Sequence, residues 1–135
     1  MTQTIQAVVS AAQLAVKNGI SKIQSAPAYA SDVKVSVPTS LALATNIKMS
    51  LESAGFKLTW FDLIIDIMVP KTYETTAMSW LSTLPQEIGD IFRDDITIGG
   101  TCQTYEGDVM AVFVRDKDNA VVGYEFTVQQ VKLEG

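Results

Sequence analysis

Asp62 and Asp66 come closest in this chain to a catalytic arrangement, as two carboxylates spaced to share one face of a strand-like run. A general acid and a second carboxylate are what glycoside hydrolysis requires. Four residues of extended chain hold this pair about 13 Å apart, beyond the roughly 5–9.5 Å such pairs span. Acids on the solvated side of a sheet are the simpler reading. Asp94-Asp95 could attract a cation, but neighbouring side chains diverge, and a turn accounts for them. Asp116-Lys117-Asp118-Asn119 opens like a calcium loop and then fails. Ala120 replaces a ligand, Val121 stands where the glycine must turn, and Thr127 stands where the bidentate acid is needed. Gly99-Gly100 opens no helix after a strand and is followed by no lysine in a phosphate-binding place. Cys102 is the one cysteine of a chain without histidine, so nothing is present to activate it as a nucleophile. Its alternating surroundings suit a small buried apolar residue. Trp60 and Trp80 are expected to be core anchors. The expectation is a protein that is not an enzyme, with no metal and no cofactor.

The totals describe a globular, acidic chain. At 135 residues the chain is long enough for one domain, residues 1–135, with most of its surface buried. Hydrophobic residues make up 47% against 19% charged, which is a globular composition rather than a disordered one. The mean hydropathy of +0.20 is high for a small soluble monomer and has two explanations, a dense core or apolar surface covered in an oligomer. Net charge is −5, with the basic residues scattered, so the chain lacks the footprint for holding phosphates. Direct sequence-specific nucleic-acid binding is not expected. One cysteine cannot form an internal disulfide. No apolar run reaches membrane-spanning length, and Phe61 to Val69 carries Asp62 and Asp66. Ala26-Pro27-Ala28 mimics a signal-peptide cleavage site, but no Lys or Arg precedes the apolar stretch, so cytosolic synthesis is expected.

The elements that must position these groups follow from periodicity. Ile5, Val8, Val9, Ala12, Ala15 and Val16 form one helical face. Thr4 can cap its start, and Asn18-Gly19 predicts a left-handed stop. A short extended piece over Ile20 to Gln24 precedes a loop around Pro27, then an alternating strand at Val33, Val35 and Val37. Leu41 to Ala44 fits either a short strand or a turn of helix. Ile47, Met49 and Leu51, a turn at Ser53-Ala54-Gly55, and Phe56, Leu58 and Trp60 make a hairpin. The apolar phase slips at Trp60-Phe61, as a β-bulge requires, and Phe61 to Val69 continues as the central strand. Tyr73 through Phe92 holds helical phase across Pro85, which predicts a kink or a collinear restart. Strands at about 100–105, 108–115 and 121–131 finish the chain, the last with Val122, Tyr124, Phe126 and Val128 on its inner face. The fold class is α+β, a mainly antiparallel β-sheet with an N-terminal helix and a second, Pro-interrupted helix packed on it.

Several of these segments come in a familiar order. Gly19-Ile20-Ser21-Lys22-Ile23 after the first helix, Pro27-Ala28-Tyr29, Val37-Pro38, the long apolar strand ending at Pro70, Pro85 within a helix, Asp94-Asp95 and Gly99-Gly100-Thr101 follow one another. The arrangement resembles the tail-terminator and tail-completion proteins of tailed bacteriophages. Asp95-Ile96-Thr97-Ile98-Gly99-Gly100 is the most distinctive piece. The chain departs from the common form in its extra alternating stretch, Ser31 to Val37, and a polar Thr45-Asn46 joint.

The resemblance implies a non-catalytic structural protein of the virion, located in the tail or neck and forming a ring, hexameric in many such proteins, at the tail end or head–tail junction. Its partners would be its own copies and tail-tube or neck and connector proteins, with no membrane involved. The acidic balance suits a DNA conduit whose wall does not hold the passing genome. The contact residues expected from irregular loops are Pro27, Ala28 and Tyr29 on one side and Asp94, Asp95, Gly99 and Gly100 on the other. The alternatives are a domain that binds a partner at a sheet edge, and an enzyme using Asp62 and Asp66.

Overall fold

Helix α1, Ile5–Gly19, begins where the Thr4 hydroxyl accepts the Ala7 N–H at 3.2 Å, the expected N-cap. It ends otherwise than the sequence suggests. Gly19 stays in the helix without a left-handed φ, and the Ile20 N–H closes the last turn on the Val16 carbonyl. The reason for glycine is contact, since a Cβ there would stand 2.6 Å from Ile91 Cδ1 of the second helix. The computed structural model describes residues 4–20, 23–25, 38–52, 55–70, 74–102, 104–115 and 121–133, without the side chains of 50–52, 56–59, 74–81 and 121. The expected Pro27 loop, the strand at Val33 to Val37 and the turn at Asp116 to Ala120 between the last two strands lie outside these residues, as does the Trp80 side chain.

After α1 come β1 (Gln24–Ser25), β2 (Thr39–Glu52) and β3 (Gly55–Pro70). Helix α2 (Glu74–Asp94), β4 (Thr104–Tyr105), β5 (Val109–Arg115) and β6 (Val121–Lys132) complete the order. Leu41 to Ala44 is neither a separate strand nor helix. It belongs to the 14-residue β2, which continues through the polar joint because Asn46 bulges with φ 51°. Helix α2 also runs unbroken, with Pro85 inside it. The strand expected at about 100–105 shrinks to the two-residue β4, because Gly99 and Gly100 take left-handed φ values of 66° and 76° and turn the chain first.

The sheet is ordered β1-β2-β3-β6-β4, and β5 lies beside β6 on the same side as β4. Every pairing is antiparallel except the two-residue β1–β2 contact. Strand β3 is central, as its two apolar faces predict. Phe61, Leu63, Ile65, Ile67 and Val69 are buried on one face, level with Phe126 and Val128 of β6 and Ala42 and Ala44 of β2. Val8, Val9, Ala12 and Val16 of α1 and Leu84, Ile88 and Phe92 of α2 join them in one core. Burying such side chains contributes about 1.5–3 kcal/mol each, which fixes which face the helices cover. Trp60 is not a core anchor. It alternates to the opposite face, half-exposed, with Lys48 Nζ 5.9 Å from its ring centroid.

Candidate functional site

The face of the sheet opposite the helices carries the acids. Cross-strand pairing sets its side chains in rows. Leu41, Asp66, Glu125 and Val112 form one row, and Leu43, Ile64, Thr127 and Met110 form the next. The two candidate carboxylates thus lie on one face of β3 as expected, but they do different things.

Asp62 holds backbone together. Its Oδ1 accepts the Gln130 N–H at 2.9 Å and its Oδ2 accepts from Asn46 Nδ2 at 2.9 Å. Asn46 and Gln130 are two of the non-glycine residues with positive φ, 51° and 55°, and they flank β3 on either side. Register slips between Thr45 and Lys48 on one side of β3 and between Phe61 and Leu63 on the other. One carboxylate therefore ties together irregularities on three adjacent strands. The phase slip at Trp60-Phe61 was the sequence signal for this place, though it did not identify Asp62 as the tie.

Asp66 is half-buried and is not the freely solvated acid the sequence suggested. Burial, and then the neighbouring Glu125 charge, push its pKa from the ordinary 3.8 to about 6. Glu125 faces it directly across β3–β6. Asp66 can therefore take up or release a proton near neutrality. No group of three or more His, Cys, Asp or Glu able to hold a metal occurs among the described residues.

The Asp94 to Thr101 segment is a closed turn. Asp95 accepts the Gly99 N–H at 2.7 Å and the Thr97 hydroxyl at 3.0 Å, and the Thr101 hydroxyl donates to the Ile98 carbonyl at 2.6 Å. Asp94 ends α2 beside Arg93, whose Nε lies 3.4 Å from its carboxylate. Ile96 stands exposed on this turn. Cys102 is buried beneath it, 3.8 Å from the Ile96 carbonyl, and burial raises its thiol pKa to about 11. That is the inert, apolar cysteine the sequence suggests.

Sequence reasoning singled out no residue of the most exposed apolar feature, β5. Met110 (50%), Val112 (56%), Phe113 (45%) and Val114 (45%) are all exposed, and they alternate across both faces of the strand. Among the described residues β5 pairs only with β6. Its first six residues, Val109 to Val114, carry no charge, proline or glycine, the usual means of blunting a sheet edge. Among the described residues, no helix is long and apolar enough to cross a membrane. No protein-family model matches the chain, and no curated protein matches it in sequence.

Proposed function

We propose that this chain is a non-catalytic structural protein that works by assembling with other protein chains, as a ring component at the tail end or head–tail junction of a tailed bacteriophage. The observation that carries the assembly part is β5, whose run Val109 to Val114 is apolar and uncharged, exposed on both faces and, among the described residues, paired only with β6. Side chains so placed gain by being covered, and the backbone groups along an open edge gain by being paired. The order of segments from Gly19 to Thr101 supplies the phage setting. In a ring, one head-to-tail contact repeats about an axis, so two different surfaces must meet. The turn from Asp94 to Gly100, with Ile96 at its exposed point, is one candidate for the second surface. Pro27, Ala28 and Tyr29 remain the other.

Imaging of labelled protein in assembled particles tests the reading. The expected result is a closed ring of copies on the tail axis. Absence from the particle, or scattered single copies away from the axis, would refute it. The second reading, a domain that binds a partner's strand at its sheet edge, is favoured by the same β5 and would then take its place.

A further inference from the structure

We propose that two copies of this chain pair through β5, edge to edge and antiparallel, about a twofold axis beside Val112, so that their sheets become one. Backbone geometry comes first. The Gln129 N–H donates to the Asp108 carbonyl at 3.1 Å, just before the regular β5–β6 ladder. In an antiparallel ladder bonded and non-bonded pairs alternate, so the even-numbered residues of β5 bond to β6. The N–H and C=O groups of Val109, Ala111, Phe113 and Arg115 therefore face away from β6, an edge on which the described residues place no further strand. A twofold axis normal to the sheet keeps the two faces distinct and sets odd-numbered residues opposite odd-numbered ones, which is what these outward groups require.

Side-chain sizes select the register. With Val112 on the axis, Ala111 lies opposite Phe113 of the second copy at both symmetry-related places, leaving room for the ring. On the other face Met110 meets Val114 of the second copy, and Val112 meets its own image. Charge agrees with this arrangement. Arg115 falls opposite Val109 of the second copy, next to Asp108, so the basic end of each strand meets the acidic end of the other. Both charged residues are exposed.

The apolar surface covered is on the order of 800 Å² in total, short of the roughly 1,200 Å² at which standard stable interfaces begin. The dimer is accordingly reversible and populated at high protein concentration. The contact is isologous, so it is distinct from the head-to-tail contact of a ring, and the two stand or fall separately.

Cross-linking of the full chain reads the register. A central non-bonded pair brings Cα atoms to about 4.5 Å, within disulfide reach. Val112→Cys, in a Cys102→Ala background, should therefore oxidise to a covalent dimer. Met110→Cys should do so about tenfold more slowly, because its own image lies about 13 Å along the strand. Sedimentation of the wild-type chain over a concentration series should show a monomer–dimer equilibrium that Val112→Lys abolishes, since two lysines would meet on the axis. Equal cross-linking of the two cysteine variants, no cross-link in folded Val112→Cys protein, or a wild-type chain monomeric at every concentration would overturn the proposal. A β5 dimer in solution with no ring on particles would uphold this contact and refute the ring.

Discussion

Replacing Asp66 by asparagine should stabilise the protein near neutral pH, an unusual direction for removing a charge from a half-exposed strand. Asp66 titrates at about 6 in the fold against an ordinary 3.8, because burial and then Glu125 disfavour its carboxylate. The native state thus keeps the proton to higher pH than the unfolded chain does. Stability falls as pH rises from about 4 to about 6, and the cost is fully present above that window. The rise in pKa to about 6 corresponds to about 3 kcal/mol unscreened, which solvent access to this half-buried group reduces to about 1–2 kcal/mol. Asp66→Asn, of nearly the same shape, removes that cost. Urea denaturation at about pH 7.5 should show the variant more stable by about 1–2 kcal/mol, and at about pH 4 the two proteins should coincide. Glu125→Gln should recover a smaller part of the gain, because the Glu125 charge is the lesser cause. A loss of stability at neutral pH, or an equal gain at both pH values, would refute the reasoning.

Asp62→Ala should move stability the opposite way, by about 1–2 kcal/mol downward, since it removes two charge-assisted hydrogen bonds at an exposed site. Denaturation measures it, and an unchanged midpoint would mean the three strands hold their irregular register without the tie. Gly123→Ala should prevent native folding or cost more than about 3 kcal/mol. A Cβ at Gly123 would sit 1.7 Å from the Ile67 carbonyl oxygen, and backbone of the central strand cannot move aside cheaply. Thermal unfolding measures it, and a near-wild-type midpoint would show the β3–β6 spacing to be wider.

What the sequence made legible was local. The face of α1, its Thr4 cap, the β2–β3 hairpin, the central strand and the inner face of β6 all repeat at helical or strand period, so neighbouring residues suffice to reveal them. What it hid depends on residues far apart in the chain. Gly19 reads as a stop, yet it is small because Ile91, 72 residues later by number, lies against it. Asn46 reads as a break between strands, yet Asp62 holds it within one. Trp60 is large and apolar, but the slip in phase next to it turns it away from the core. Asp66 looks solvated because no local pattern reveals that Glu125 will face it across the sheet. The exposure of β5 is legible least of all. Val109 to Val114 reads as an ordinary strand, and only the strand order makes it an edge.

In the proposed β5 pairing the acid pair and the apolar edge would act together. Asp66 and Glu125 sit in the row that ends at Val112, two strands and one strand in from β5 respectively. Met110, Val112 and Val114 give the outer face enough apolar surface to invite another sheet to stack on it. Stacking two such faces would enclose four carboxylates in a dry contact, where like charges repel and desolvation costs several kcal/mol per ion. Pairing along the β5 edge covers the same valines and Met110 while the carboxylates keep their water. In the proposed contact the acids would therefore select among the arrangements that the apolar residues alone would allow. They would disfavour stacking on the face and leave pairing along the edge as the cheaper contact.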